Sequence, residues 1–321
     1  MTQNSPYAWY LACRPKTLSG ALVSVFCACA LAMSHLRAAH AAFDWRAAAL
    51  CALFASLMQI ASNLINDLYD FLRGTDDEER LGPERACAQG WITPRAMRLG
   101  IAVVCVLAAT VGLQLMAYVD VWMVVPVVAV VIAGAFLYTV FGSYHGMGDV
   151  LVYVFFGYVP TCGTYLVLTG TLDWEVWVLA TAVAMVVDTL LVVNNYRDRV
   201  GDARAGKKTL IVRVGEYHRR RIVSDGSTPD DLASQYADQR AEEFGHQLYF
   251  WQGIGAWLVA SLLGLHGHHM FILVVYALVH SATSREMHRI RQGRALNAIL
   301  GKTSMGMLLF AALTALSLLL S

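Results

Sequence analysis

The sequence has few charged residues, which argues against an ordinary soluble domain. Only 15% of its 321 residues are charged and 57% are hydrophobic, whereas a soluble domain carries about 25% charged residues. Apolar runs of about 18 residues or more are typical of transmembrane helices. Runs at or near that length predict an all-α polytopic membrane protein with nine transmembrane helices: 17–36, 47–71, 99–118, 121–140, 149–170, 174–195, 246–265, 269–284 and 304–321.

The sequence also lacks signals of disulfides, of a cysteine–histidine metal centre and of secretion. The seven cysteines are an odd number, lie mostly in apolar runs and have no metal-ligand spacing with histidine, so we interpret them as small hydrophobic residues. Arg14 and Lys16 lead directly into a full-length apolar run, so no cleavable signal peptide is expected. His266, His268 and His269 fall in a short turn, which we interpret as a solvated loop rather than a metal site.

Basic residues are distributed unevenly among the predicted loops. Of the 24 lysines and arginines, 22 fall in segments that share one side of a nine-span protein, and only Arg37 and Arg46 fall on the other. Because basic residues are enriched on the cytoplasmic side, we expect a multi-pass protein of the bacterial cytoplasmic (inner) membrane with a cytoplasmic N-terminus. The net charge of +1 says little about soluble partners. No nucleic-acid partner is expected.

A stripe of polar residues ends the second apolar run. Asn63, Asp67 and Asp70 are spaced i, i+4 and i+7, so they share one helical face, and Asn66 stacks on Asp70. Asp76 follows in a charged loop. Such groups at the end of an apolar helix are costly unless something binds them. The stripe indicates either a site for a hard cation such as Mg²⁺, which prefers oxygen ligands, or a helix end that emerges into water.

A second polar stripe ends the sixth apolar run, on the same predicted side. Asn194, Asp198 and Asp202 are spaced i, i+4 and i+8, and Asn195 falls beside them. Asp188 lies about two turns deeper in the same run. An acid at that depth indicates a functional site, unless it is hydrogen-bonded to a neighbouring helix.

The two stripes together predict a diphosphate site. Four or more carboxylates around one cavity would repel one another unless cations neutralise them. Metal ions bridge carboxylates to phosphate oxygens, and nearby arginine and lysine side chains bind the remaining phosphate charge. The repetition of the pattern on a second helix therefore favours a metal–diphosphate site over two solvated helix ends.

Three other segments carry weaker signals. The loop 141–149 contains no lysine or arginine and fits either an aromatic-substrate pocket or a tight turn. In the polar insert at 217–244, Pro229 and the acids after it are typical of a helix N-terminus, so we expect a cytoplasmic surface helix there. Gly157 and Gly163 in the fifth run permit close helix packing or a kink.

Both stripes resemble the motifs of a known family. The pattern N-x-x-N-D-x-x-D-x-x-x-G-x-D at 63–76 is similar to the first aspartate-rich motif of the UbiA-type intramembrane prenyltransferases. The pattern N-N-x-R-D-x-x-x-D-x-x-x-G-K-x-T at 194–209 is similar to the second. The sequence looks most like the branch that prenylates 1,4-dihydroxy-2-naphthoate in menaquinone biosynthesis, a branch that R-P-K-T-L at 14–18 and G-T-Y at 163–165 also fit. The resemblance resumes near Asn297 and does not cover the insert.

The resemblance implies nine transmembrane helices around a central cavity, in a single domain over residues 1–321. It implies Mg²⁺-dependent transfer of a polyprenyl chain from polyprenyl diphosphate to 1,4-dihydroxy-2-naphthoate within the lipid bilayer. Diphosphate and CO₂ would be lost, giving demethylmenaquinol. By the same resemblance Asp70, Asp76, Asp198 and Asp202 would hold Mg²⁺ and act as the catalytic residues. The residues expected to contact substrate are Asn63, Asn66, Asp67, Asn194, Asn195, Arg197, Lys207, Tyr138 and Tyr144.

Two alternatives stay open from the sequence. A UbiA-type enzyme could act on another aromatic acceptor, such as 4-hydroxybenzoate or a tetrapyrrole. A membrane transporter would use intramembrane acids to bind its cargo. Both stripes lie at the same end of their helices rather than near the midplane, which favours the enzyme.

Overall fold

The computed structural model describes residues 2–74, 81–223 and 229–320, and within these ranges it is entirely helical. Short 3₁₀ or π turns extend or join several of the helices. The α-helices are α1 (Pro6–Cys13), α2 (Leu18–Ala38), α3 (Trp45–Leu72), α4 (Pro94–Gln114), α5 (Val121–Leu137), α6 (Ser143–His145), α7 (Gly148–Val152), α8 (Val159–Thr169), α9 (Trp174–Arg204), α10 (Leu210–Val223), α11 (Asp230–Ser261), α12 (Val274–Ile290) and α13 (Leu296–Leu319).

Among the described residues, 7 helical stretches are long and apolar enough to cross a membrane. The fourth and eighth predicted runs correspond to α5 and α12, which have 17 residues each. Helix α5 is apolar throughout, whereas α12 carries Arg285, Glu286 and Arg289 near its C-terminus. The all-helical, multi-span architecture is thus confirmed, and the count of nine transmembrane helices stays a prediction.

Side-chain caps fix where several helices begin. Ser5 and Thr93 each accept a hydrogen bond from a backbone amide three residues ahead, and each is followed by proline at the first helical position. The Asp44 carboxylate accepts two backbone amides at the start of α3. These bonds satisfy amides that a helix start leaves without an intrahelical partner.

Helix α9 is the centre of the bundle. It packs against α2, α8, α11 and α13, and 67% of its apolar stretch is buried, against 28% for α4. Apolar residues occur on all faces of this helix, as expected of a helix in the core. Asp198 lies near its C-terminus and Glu175 at its N-terminus, about 35 Å apart at 1.5 Å per residue. We call these the site end and the opposite end of the bundle.

The polar insert is part of the helical fold. Helices α10 and α11 pack against each other, and the expected surface helix is the first half of α11, which continues into a membrane-spanning stretch. Pro229 is the residue before this helix rather than its first residue. Buried Arg199 on α9 holds α11 through Asp238 (Nε to Oδ1, 2.8 Å) and Glu242 (Nη2 to Oε2, 3.1 Å).

Gly157 is the point of closest approach between the π turn Tyr153–Tyr158 and α9. A Cβ atom on Gly157 would lie 2.3 Å from Ala184 Cβ and 2.7 Å from Ala184 Cα. A Cβ atom on Gly163 would meet nothing within 4 Å. Of the two alternatives, close packing or a kink, close packing is therefore observed at Gly157 and not at Gly163.

We predict that Gly157→Ala lowers the thermal unfolding midpoint of the purified protein, because overpacking against the α9 backbone costs about 1–3 kcal/mol. The matched control is Gly163→Ala, which should leave the midpoint unchanged or raise it slightly, since alanine favours the helix more than glycine. Equal midpoints for the two variants would contradict the packing described for Gly157.

Candidate active site

A polar cavity of about 590 Å³ lies at the site end of the bundle. Its walls include the C-terminal turns of α3 and α9, the start of α7, and residues 205–209 after α9. Residues of both predicted stripes therefore face one space, although they are more than 100 positions apart in the chain. The predicted site residues that line it are Asn66, Asp70, Tyr138, Asn194, Asn195, Arg197, Asp198, Asp202 and Lys207.

Basic side chains connect the acidic ends of α3 and α9. Arg85 Nη2 lies 2.5 Å from Asp70 Oδ2, and both side chains are 7% exposed. Lys207 Nζ lies 3.5 Å from Asp70 Oδ2 and 3.8 Å from Asp202 Oδ1, so one ammonium group is shared by the two stripes. Opposite charges attract more strongly in a partly buried site than in water. These contacts therefore hold the two helix ends together.

Arg197 orients Asp198, another acidic residue of the cavity. Its Nε donates to Asp198 Oδ1 (2.8 Å) and its Nη2 to Asp198 Oδ2 (2.6 Å), a bidentate pair. Its Nη1 donates to Asn297 Oδ1 (2.8 Å), and Asn297 Nδ2 donates to Leu81 O (2.9 Å). Arg197 was predicted to bind phosphate. The structure adds a positioning role, since three of its nitrogens already hold protein groups.

Two asparagines of the stripes are fixed by neighbouring oxygens. Thr139 Oγ1 donates to Asn66 Oδ1 (2.6 Å), and Asn194 Nδ2 donates to Leu190 O (3.0 Å). Both asparagines line the cavity. Their carboxamides are thereby held in one orientation beside the carboxylates.

Asn63 and Asp67 are not among the residues that line the cavity. Asn63 Nδ2 donates to Cys13 O (3.0 Å) and so holds the segment between α1 and α2. The Asp67 carboxylate accepts the backbone amides of Ala86 and Cys87, each at 2.8 Å. Both side chains are buried in these contacts. They shape the surroundings of the site, and the substrate contact expected of them stays a prediction.

Three further residues from the sequence lie elsewhere. Tyr144 is not among the residues that line the cavity, and its predicted substrate contact stays a prediction; the Arg73 guanidinium lies over its ring, 4.2 Å from the centroid. Asp76 lies outside the described residues, so its role stays a prediction. Asp188 accepts a hydrogen bond from Gln252 Nε2 on α11 (2.9 Å). This bond to a neighbouring helix satisfies one of the two Asp188 oxygens, and Oδ1 is buried without a hydrogen-bond partner among the described residues.

Several cavity residues were missed by the sequence analysis. Arg14 precedes α2, Arg85 comes from the loop before α4, and Asp149 begins α7. These positions show no helical periodicity with the stripes, so spacing could not assign them. For Arg14 a signal existed, because it opens a segment that fits the family branch.

An apolar cavity of about 160 Å³ meets the polar one. Tyr138 lines both cavities, so its side chain marks their junction. The walls come from α2, α3, α5, α8 and the π turn before α8. Representative lining residues are Val25, Phe54, Met58, Val128, Phe155 and Val167.

The donor set of the polar cavity fits Mg²⁺. The carboxylates of Asp70, Asp198 and Asp202 and the carboxamides of Asn66 and Asn194 offer only oxygen ligands, which this cation prefers. Mg²⁺ retains several ligands from water or phosphate, and a cavity of about 590 Å³ leaves room for them.

Comparisons with known proteins identify the family of the chain. Residues 22–299 match the UbiA prenyltransferase family. The chain is 35% identical over 222 residues to the 1,4-dihydroxy-2-naphthoate octaprenyltransferase of Haemophilus influenzae, covering 66% of this chain and 70% of that protein. It is 37% identical over 218 residues to the enzyme of the same name from Mycobacterium tuberculosis, covering 67% and 72%.

The fold has a solved counterpart. The structure of a UbiA homologue from Archaeoglobus fulgidus bound to DMAPP and Mg²⁺ superposes with a TM-score of 0.60 over 97% of this chain and 98% of that one, at 14% identity. Family match, relatives and fold agree, and they favour the enzyme over the transporter. The chain belongs to the UbiA prenyltransferase family.

Proposed function

We propose that this prenyltransferase moves a polyprenyl chain from polyprenyl diphosphate to 1,4-dihydroxy-2-naphthoate, releasing diphosphate and CO₂ and giving demethylmenaquinol. One observation carries the proposal: the acidic ends of α3 and α9 converge with Arg85 and Lys207 around a cavity that meets an apolar one at Tyr138. The names of the relatives from Haemophilus influenzae and Mycobacterium tuberculosis support the acceptor.

The polar cavity would bind the diphosphate. Mg²⁺ held by Asp70, Asp198 and Asp202 would neutralise the negative charge that develops on the departing diphosphate. Arg85 and Lys207, which contact Asp70 in the structure, would turn their remaining donors to phosphate oxygens. Arg197 would keep the Asp198 carboxylate aimed into the cavity through its bidentate contact.

The bond changes balance without any further reactant. The C–O bond between the prenyl chain and the diphosphate breaks, and its electron pair leaves with the diphosphate, so an allylic cation forms. The ring carbon that bears the carboxylate attacks this cation and forms the new C–C bond. The carboxylate then leaves as CO₂, and the electron pair of its C–C bond restores the aromatic ring.

The apolar cavity would hold the prenyl chain next to the reacting carbon. Its hydrophobic walls exclude water, which would otherwise capture the allylic cation. Tyr138 lies where the two cavities meet, so its ring can stabilise the cation electrostatically. The cation would thus form at the boundary between the diphosphate and the tail.

The orientation of the site follows from the charge distribution. With 22 of the 24 basic residues on its side in the nine-span arrangement, the site end would face the cytoplasm of a bacterial inner membrane. Both the polyprenyl diphosphate head and the acceptor would enter from that side. We infer that the whole chain, including the insert, works as one domain.

The first test of the proposed function concerns the acceptor and the metal. Purified enzyme in detergent, given polyprenyl diphosphate and Mg²⁺, should convert 1,4-dihydroxy-2-naphthoate to the prenylated quinol, measured by mass spectrometry, and release labelled CO₂ from carboxyl-labelled acceptor. Chelation with EDTA should abolish turnover and added Mg²⁺ should restore it. Product only from 4-hydroxybenzoate or a tetrapyrrole, or turnover unaffected by EDTA, would contradict the proposal.

The second prediction concerns the acidic residues. Asp198→Asn keeps the shape of the side chain but removes a charge that faces the diphosphate, so kcat should fall by about 100-fold or more. The control is Asp231→Asn, an exposed carboxylate in the first turn of α11, which should retain full activity. Unfolding midpoints of both variants verify folding. Wild-type turnover by Asp198→Asn would remove this residue from the mechanism.

A further inference from the structure

A second cluster of polar side chains lies at the opposite end of the bundle. His35 comes from the end of α2, Glu175 from the first turn of α9, and His268 from the turn between α11 and α12. One ligand atom of each lies within 4.8 Å of those of the other two. His266 joins the cluster, with Nδ1 3.5 Å from Glu175 Oε1. The chain therefore brings three imidazoles to one buried carboxylate.

Two of the distances in this cluster match the spacing of ligands around a tetrahedral cation. Zinc binds nitrogen and oxygen ligands at about 2.0–2.2 Å, so neighbouring ligand atoms of a tetrahedral site lie about 3.3–3.6 Å apart. His266 Nδ1 and His268 Nε2 lie 3.5 and 3.6 Å from Glu175 Oε1. His35 Nε2 lies closer, 2.6 Å from Glu175 Oε2. Moving these two atoms apart by less than 1 Å would give them the ligand spacing of a tetrahedral site.

Hydrogen bonding leaves a place for a cation between His35 and Glu175. Tyr165 donates its hydroxyl proton to Asp173 Oδ2 (2.5 Å), so the Tyr165 oxygen must accept the hydrogen of His35 Nδ1 (2.6 Å). Nε2 of a neutral His35 then presents a lone pair to the carboxylate. His35 Nε2 and Glu175 Oε2 are then two hydrogen-bond acceptors only 2.6 Å apart. A cation, either a proton or a metal ion, must lie between them.

The same contacts provide the support that metal-binding histidines commonly have. A ligating imidazole usually donates its second N–H to an oxygen, which fixes the tautomer and the ring orientation. Here the chain from His35 through Tyr165 to Asp173 does so, and Tyr165 is almost fully buried. His266 is half exposed, with 49% of its side chain accessible, so a cation can enter from solvent.

We propose that His35, Glu175 and His268 bind one divalent transition-metal ion of the zinc class. These three ligands leave the fourth position of a tetrahedral ion to His266, which already contacts Glu175, or to a water molecule. The ion would tie the turn between α11 and α12 to α2 and α9. It would lie about 35 Å along α9 from Asp198, so the site is separate from the prenyl-transfer chemistry and does not depend on it.

This site reverses the interpretation of the histidine turn as a solvated loop. Its partners come from residues 35 and 175, more than 90 positions away in the chain. No ligand spacing could therefore associate them with the turn. The fold brings them together because α2 and α9 pack side by side and end on the same face.

The test measures metal binding by the full-length protein in detergent. The protein is first stripped with a chelator and kept in excess Mg²⁺, which occupies the acidic cavity. We expect one Zn²⁺ per chain by mass spectrometry, a higher unfolding midpoint with Zn²⁺, and the intense visible bands of four-coordinate Co²⁺ when Co²⁺ replaces it. No stoichiometric Zn²⁺, or only the weak bands of octahedral Co²⁺, would overturn the proposal in favour of a proton between His35 and Glu175.

Variants separate the site from adventitious histidine binding. His268→Ala should weaken Zn²⁺ binding by more than about 100-fold, and Tyr165→Phe by about 10–100-fold, the usual cost of a lost supporting hydrogen bond. His269→Ala is the matched control, because His269 is an exposed histidine of the same turn and should bind Zn²⁺ like the wild type. Equal affinities for His268→Ala and His269→Ala would overturn the proposal, and the Co²⁺ spectrum of the wild type tests it independently of any variant.

Discussion

The structure depends on one electrostatic constraint: carboxylates at the end of apolar helices need cationic partners. Asp70 and Asp202 stand on different helices, and Lys207 lies between them. Arg85 and Arg197 meet the carboxylates of Asp70 and Asp198 in the same way. Because unpaired charge is costly away from water, these contacts hold the ends of α3 and α9 and the loops before α4 and after α9 around a single cavity.

The same constraint explains how the charged side chains of the site could exchange their ion-pair partners when substrate binds. Carboxylates that are neutralised by arginine and lysine in the structure are also the oxygen ligands that a divalent cation prefers. A diphosphate with Mg²⁺ brings both the positive charge that the carboxylates need and the negative charge that the freed basic groups need. Binding of the proposed substrate would therefore replace one set of ion pairs with another and leave no charge without a partner.

Helix α9 carries a carboxylate near each of its ends. Asp198 at the site end is held by Arg197 of the same helix, and buried Glu175 at the opposite end is surrounded by imidazoles. The interior of the helix is apolar and mostly buried. Polar contacts with neighbouring helices also lie towards its ends, where Arg199 binds Asp238 and Glu242 on α11 and Glu175 contacts His35 on α2.

The sequence predicts much of this site because helical periodicity is a local property. The spacing of Asp70, Asp198 and Asp202 placed them correctly on faces that line one cavity. The same spacing includes Asn63 and Asp67, which do not line the cavity. A helical face is wider than the cavity, and packing against the segments 13–17 and 85–90 decides which of its residues are covered.

Contributions from loops could not be predicted in this way. Arg85 reaches Asp70 from a segment without periodic pattern, and its position depends on the two backbone amides that Asp67 binds next to it. The histidine turn at the opposite end is a similar case, since its partners are set by helix packing. The number of transmembrane helices stays a prediction, because α5 and α12 are short.

The most direct test of the account is an experimental structure with Mg²⁺ and a non-hydrolysable polyprenyl diphosphate analogue. We predict that metal ions lie about 2.0–2.1 Å from carboxylate oxygens of Asp70, Asp198 or Asp202 and also contact the diphosphate, with the prenyl chain passing Tyr138 into the apolar cavity. A diphosphate bound outside this cavity, or metal ions that contact none of these carboxylates, would contradict it.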